Sequence, residues 1–246
     1  MGFFDFLSKE NRLISKIEKN VKRANNKHTP KDYRQAALYE VMEQARAGHD
    51  LAIAGLLARF GVNAEPSIED EKEKEWVCDA LIEIGEKALP RIRRALRSAE
   101  SVNWVQRVLR NIVDEADYKQ ELLDVLDEFD TEYERNPDRK IQTVMALSEL
   151  QGEDVAEKLI RFLEDVNETV RYQTVVALAR LECELAREPL LQVMCNDESI
   201  RVRNEVVDVF CTLEWSASGA KKQVAAILPS GYKLDKSGKI TQLGKA

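Results

Sequence analysis

The sequence predicts an all-α protein: a solenoid of about six stacked antiparallel helix pairs over residues 1–228, then a tail or small hairpin at 229–246. Three observations predict it. Proline and glycine are scarce, at six and ten residues of 246, so long stretches run without helix breakers. Apolar residues recur at helical spacing, and nothing reads as a strand before the tail. One pattern also occurs twice. Asp165 precedes Arg171 by six positions, and Asp197 precedes Arg203 by six. An apolar stripe follows each time, Val175 to Leu181 and Val206 to Leu213. Recurrence from 165 to 197 is the period of a stacked helical repeat.

The elements follow in order. Arg12–Asn26 and Lys31–Ala47 form a capping pair, with Thr29-Pro30 as N-cap and first-turn proline. Asp50–Phe60 and Glu69–Ile84 form the first pair, around a loop holding Gly61 and Pro66. Glu86–Arg97 and Val102–Asp114 form the second, Tyr118–Phe129 and Pro137–Leu150 the third. Asp154–Glu164 with Glu168–Glu182, and Glu184–Cys195 with Glu198–Glu214, are the fourth and fifth; Pro189 marks a first turn or a kink. Lys221–Leu228 closes the last helix and Pro229-Ser-Gly231 breaks it. Alternating apolar residues around Asp235–Gly238 then suggest a hairpin folded over the last repeat, with disorder as the alternative.

A helix pair cannot bury its apolar face alone, so neighbours stack into one core. The acid sits in the turn within a pair. The base six residues on lies within reach of that acid or of loop carbonyls in the adjacent repeat, which makes Asp165, Arg171, Asp197 and Arg203 structural residues that set register.

These residues resemble HEAT repeats, and the phycobilin-lyase-like variant most of all, clearest over residues 150–215. Lys74, Lys140, Arg171 and Arg203 take the family's basic position, and Lys31 does so with Asn25 in place of the acid. Val102 stands where the second pair should carry a base, and Ile68 where the first should carry an acid. The resemblance implies a right-handed α-solenoid whose second helices line a concave binding face.

Composition bounds the rest. With 44% hydrophobic and 33% charged residues, the chain is too apolar for disorder and too charged for a membrane protein. No run of about 18 apolar residues offers a spanning helix. No basic region with a long apolar run opens the chain, and Cys78, Cys183, Cys195 and Cys211 show no CxxC spacing, so the expectation is a reduced, cytoplasmic protein. A net charge of −7 makes nucleic acid an unlikely partner.

No catalytic, cofactor or metal constellation emerges. His28 and His49 lack ligand partners at metal spacing, and no GxSxG, P-loop or GxGxxG is present. The arginines 91, 93, 94, 97, 107 and 110 form one charge cluster, of which Arg107 and Arg110 fall on a second helix beside Trp104. Ten acids against one lysine follow between 114 and 134; they read as a solvated face that neutralises arginines across the repeat boundary. Lys72, Glu75 and Asp79, then Thr143, then Asn204 and Glu205 take polar positions on the other second helices. The candidate partner-binding residues are Trp76, Asn103, Trp104, Gln106, Arg107, Arg110, Arg139, Gln142, Tyr172 and Gln173. A mixed polar and aromatic lining suits a protein partner better than a small apolar ligand. The expectation is a non-enzymatic scaffold, with a tetrapyrrole-lyase-like accessory role or nucleic-acid binding as alternatives. Phe3, Phe4, Phe6 and Leu7, followed by Lys9 and Arg12, read as a cap on the first helices or as a docking tip for a partner or membrane surface.

Overall fold

The computed structural model describes residues 3–244, with side chains from Lys9 onward. The expected cap or tip formed by Phe3, Phe4, Phe6 and Leu7 lies outside the described side chains. The chain is all-α, with a small antiparallel two-stranded sheet at its end. Its helices are α1 (Phe3–Ala24), α2 (Lys31–Arg46), α3 (Asp50–Arg59), α4 (Ser67–Ile84), α5 (Leu89–Ser98), α6 (Asn103–Ile112) and α7 (Glu115–Asp127). They continue with α8 (Asp138–Leu147), α9 (Glu153–Ile160), α10 (Glu168–Leu181), α11 (Arg187–Asn196), α12 (Ile200–Thr212) and α13 (Lys221–Ile227). No helix is long and apolar enough to cross a membrane, among the described residues.

The expected pairs are present with small shifts at their ends. Two first helices open late. 3-10 turns occupy Gly85–Ala88 and Glu184–Ala186, and the α-helices start at Leu89 and Arg187. Pro90 and Pro189 explain this, because a proline ring fits only the first turn of a helix. At the other end of α9, Arg161–Glu164 tighten into a 3-10 turn before the Asp165 loop. Helix α1 starts at Phe3 rather than Arg12, so the aromatic segment belongs to the helix backbone.

The chain forms two compact units, residues 1–121 and 122–246. In the first, α1, α3 and α5 pack side by side as one layer and α2, α4 and α6 as the other. The stripe Ala37, Leu38, Val41, Met42 and Ala45 of α2 meets the buried Ala52, Ile53 and Leu56 of α3, which shows how each apolar face is covered by its neighbours. In the second unit, α8, α10 and α12 pack as one layer. Lys158 and Arg161 of the neighbouring layer reach back to Asp127, and Arg161 also donates to the Leu126 carbonyl.

The repeated loop is built alike in both copies. Asp165 Oδ1 accepts the Asn167 N–H at 2.8 Å, and Asp197 Oδ1 accepts the Ser199 N–H at 2.7 Å. Asn167 then caps α10 by accepting from Thr169 and Val170, and Ser199 caps α12 by accepting from Val202. The base makes a different contact from the one within its own loop that spacing alone suggests. Arg171 forks onto Asp197 of the next loop at 2.8 and 3.2 Å, and gives its own loop bonds to the Asp165 and Val166 carbonyls at 2.9 and 3.4 Å. Lys140 likewise reaches the next acid, Asp165, at 2.8 Å, and its own Glu134 stands at 3.9 Å. Each acid therefore closes its own turn and receives the preceding repeat's cation. Such a ladder fixes register between repeats.

The tail folds as a hairpin, β1 (Tyr232–Leu234) with β2 (Ile240–Gln242). Asp235 Oδ1 gathers the N–H groups of Ser237 and Lys239 in the turn. Gly238 takes φ +87°, where an added Cβ would stand 2.7 Å from the Ser218 nitrogen. Strand β2 packs on α12, Tyr232 donates to Asp208, and Ile240 is buried. The hairpin covers the last helix pair, as a repeat's open end requires.

Candidate functional site

Helices α2 and α4 lie side by side in the first unit and leave a groove between them. Its volume is about 360 Å³, and Gln35, Leu38, Tyr39, Glu69, Lys72, Glu73 and Trp76 line it. The register of the two helices explains the lining. Leu38 sits on the buried stripe of α2, and its neighbour Tyr39 is carried out to the rim, 55% exposed. On α4, Val77 is fully buried, and Trp76 beside it is 37% exposed. The result is two exposed aromatic walls over an apolar floor, with Gln35, Glu69 and Lys72 at the edge. Glu69 is held by Lys31 at 2.8 Å, and hydrogen bonding from Lys31 keeps its carboxyl below the usual range.

Glu73 ties this groove to a charge network inside the unit. Arg34 of α2 forks onto Glu73 at 2.8 and 3.0 Å. Arg59 of α3 reaches Asp70 at 2.5 Å and Glu73 at 3.0 Å, and Lys74 reaches Asp70 at 2.8 Å. All five side chains are buried. The remaining polar atoms go to backbone and amide partners. Arg34 donates to the Thr29 carbonyl, Arg59 to the Val62 carbonyl, and Lys74 to Asn63, while Asp70 accepts the Ala64 N–H. Arg59 Nε has no partner. Burial pushes the Asp70 carboxyl up, but hydrogen bonds from Lys74, Arg59 and the Ala64 N–H outweigh it and hold the group below its ordinary value. Glu73 behaves the same way under Arg34 and Arg59. Both acids are therefore carboxylates at neutral pH. They have no proton to give and are poor proton acceptors, so they serve as pins between α2, α3 and α4.

Helix α6 carries the next aromatic. Trp104 stacks on Phe60 at 5.7 Å with an interplanar angle of 10°. Arg107 lies over the Trp104 ring at 5.3 Å, with Glu75 of α4 at 3.8 Å. Arg110 covers Tyr118 at 5.9 Å. Asn103 is exposed and Gln106 is buried, its Nε2 without a partner. Of the first-unit candidates, Trp76, Asn103, Trp104, Arg107 and Arg110 reach the surface, and Gln106 faces the interior. Three of the four α5 arginines are engaged elsewhere. Arg91 pairs with Asp50, and Arg93 and Arg97 with Glu121 of the acidic run.

In the second unit Arg139, Gln142, Tyr172 and Gln173 are half-buried. Arg139 lies over Phe129 at 4.8 Å. Arg201 stacks on Tyr172 at 3.9 Å, and the Tyr172 hydroxyl donates to Glu205 at 2.8 Å. These contacts spend the polar groups on one another. No group of His, Cys, Asp and Glu stands at metal-holding geometry among the described residues. All four cysteines are free; Cys78 is buried, and burial pushes its thiol up.

Sequence reasoning missed Tyr39, Leu38 and Gln35, because α2 was read as a cap rather than as a second helix in its own right. Its place beside α4 puts its exposed face in the same lining. Compared with protein-family models and with curated proteins, the chain matches none.

Proposed function

We propose that this chain is a non-catalytic, HEAT-like adaptor that binds a partner protein through the α2–α4 groove. The observation that carries the reading is the pair of exposed aromatics, Tyr39 and Trp76, facing a 360 Å³ cleft floored by Leu38. Tyrosine and tryptophan bring a large apolar area with few rotamers to freeze, and interface hot spots are enriched in them for that reason. At about 360 Å³ the cleft has room for one or two side chains of a partner. Its floor and walls are preorganised, because the Arg34–Glu73–Arg59–Asp70 network locks the helices that carry them. Trp104 and Arg107 of α6 extend the same layer with an aromatic and a cation, the residue types that recognise backbone carbonyls, carboxylates and rings.

The clamped carboxylates favour binding over catalysis, since the buried acids nearest the cleft are held ionised by cations. Affinity capture with the Tyr39→Ala, Trp76→Ala double variant tests the reading. A partner held by the wild type and lost by the variant supports it. A partner retained by both, or turnover of a substrate by the purified chain, overturns it.

A further inference from the structure

Two neighbouring loops of the first unit lack the charge that their counterparts in the second unit carry. There, Glu134, Asp165 and Asp197 each bring a carboxylate to the loop within a helix pair, and Lys140 and Arg171 are seated on them. The loop from α1 to α2 and the loop from α3 to α4 instead turn the amides Asn25, Asn26 and Asn63 to the cleft between them. Glu65 of the second loop is exposed and stands outside the lining. The cleft holds about 690 Å³, and Lys22, Lys27 and His28 complete its polar lining, with no acid among the described residues that line it. From residue 19 to residue 28 the chain carries Lys19, Lys22, Arg23, Lys27 and His28 and no acid, although its net charge is −7. Lys22, Lys27 and His28 are exposed, and none meets a carboxylate among the described residues. The carbonyl end of α1, which closes at Ala24, accounts for Lys22 and Arg23 in the last turn. Lys27 and His28 lie beyond the helix, where its dipole gives no reason for a cation.

Both walls are fixed from the inside. On the first, Asn26 Oδ1 accepts the His28 N–H at 3.0 Å, Asn25 Nδ2 donates to the Gly55 carbonyl at 3.0 Å, and the buried Arg34 donates to the Thr29 carbonyl at 2.9 Å. On the second, Arg59 donates to the Val62 carbonyl at 2.7 Å and Lys74 to Asn63 Oδ1 at 2.9 Å. The buried cations thus hold the backbone of the cleft from below, and the Lys22, Lys27 and His28 side chains face solvent above it. A site whose frame is set before a ligand arrives loses little to ordering when it binds.

We infer that this cleft binds a phosphate monoester, whose oxygens take the place of the missing loop carboxylate. A monoester carries about −1.5 to −2 charges near neutral pH and three strong acceptor oxygens. Lys22 and Lys27 supply ammonium donors and His28 a ring N–H, and the loop amides supply further N–H groups beside them. A carboxylate ligand would bring less charge and fewer oxygens to the same cations. A nucleic-acid backbone spreads its charge over many phosphates, whereas the cleft gathers its donors at one place. The monoester group has two sources, a small molecule or a phosphorylated side chain of a partner, and its chemistry at the cleft is the same in both. The inference is independent of the α2–α4 groove, since the two share no lining residue.

Titration of the full chain with phosphoserine, and with a phosphoserine peptide whose other residues are uncharged, tests it by amide chemical shifts. The expected result is saturable shifts at Lys27, His28 and Asn63, with the phosphorylated peptide bound at least about 10-fold tighter than its serine counterpart and more weakly as salt rises. The Lys22→Gln, Lys27→Gln variant changes two exposed side chains, and circular dichroism should show an unchanged fold. It should bind at least about 10-fold more weakly, because it loses charge-assisted hydrogen bonds. The Lys19→Gln, Arg23→Gln variant removes the same charge from α1 outside the lining, and should weaken binding by less than about 3-fold. Equal affinity for phosphoserine and the peptide supports a small-molecule source, and a tighter peptide supports a partner's side chain. No saturable shift with either probe, equal loss in the two variants, or full binding by the Lys22, Lys27 variant would overturn the inference. Binding of duplex DNA under conditions where both phosphate probes stay free would overturn it as well.

Discussion

Replacing Lys140 with methionine should destabilise the second unit by about 3 kcal/mol. Lys140 is 1% exposed, and its ammonium donates to Asp165 Oδ2 and to the Asp130 carbonyl, both at 2.8 Å. Methionine keeps most of the volume but removes the charge, and leaves the Asp165 carboxylate buried at 1% exposure. Removing one partner of a buried ion pair costs about 3–5 kcal/mol, because the other charge stays desolvated. The Asn167 N–H still donates to Asp165 at 2.8 Å, so the lower end of that range applies. Urea unfolding followed by circular dichroism measures the loss directly. In a thermal scan it should appear as a fall of roughly 6–12 °C. The second half of the test is Lys140→Met combined with Asp165→Leu. With no orphaned charge left, this variant should recover to within about 1–2 kcal/mol of wild type, since buried ion pairs contribute little net stability beyond an apolar replacement. If Lys140→Met cost under about 1 kcal/mol, or the two changes simply added, the ladder would not couple neighbouring repeats.

Two other outcomes follow from the same reasoning. Asp70 and Glu73 have carboxyls lowered from their ordinary values of 3.8 and 4.5, so their stabilisation is complete above those values and is lost as pH falls through the folded ones. The urea midpoint of the first unit should be flat near neutrality and drop below about pH 4, and Glu73→Gln should flatten that drop; a midpoint unchanged down to pH 3 would refute the network. Gly238→Ala forces a side chain onto φ +87° and against the Ser218 nitrogen, and should cost about 2 kcal/mol or more and release the hairpin, read as loss of amide protection at Asp235 and Leu243, whose N–H groups donate to the Lys239 and Gly231 carbonyls.

The helical pairs were legible because their apolar stripes are long and regular. The hairpin was legible because Asp235 to Gly238 supplies a turn acid and a glycine at the one position that needs positive φ. The buried network was not legible, since charged side chains on helices usually mark the solvent face. A signal did exist. Arg34 precedes Leu38 and Val41 at helical spacing, and Glu73 precedes Val77 and Ala80, so both stand on a core stripe. Sequence spacing could not say whose acid Arg171 would take, because Asp165 and Asp197 are both within reach of a long side chain and only packing of successive pairs selects the second. The groove needed three dimensions for a similar reason. Tyr39 and Trp76 are 37 positions apart, and only the α2–α4 contact brings them to one cleft.

The most direct test of the central claim is photocrosslinking in cells from position 72, where Lys72 edges the cleft and is exposed. A photoreactive residue there should give a discrete protein adduct that disappears when Trp76→Ala is added. An adduct that survives Trp76→Ala, or no protein adduct at all, would contradict a partner seated between Tyr39 and Trp76.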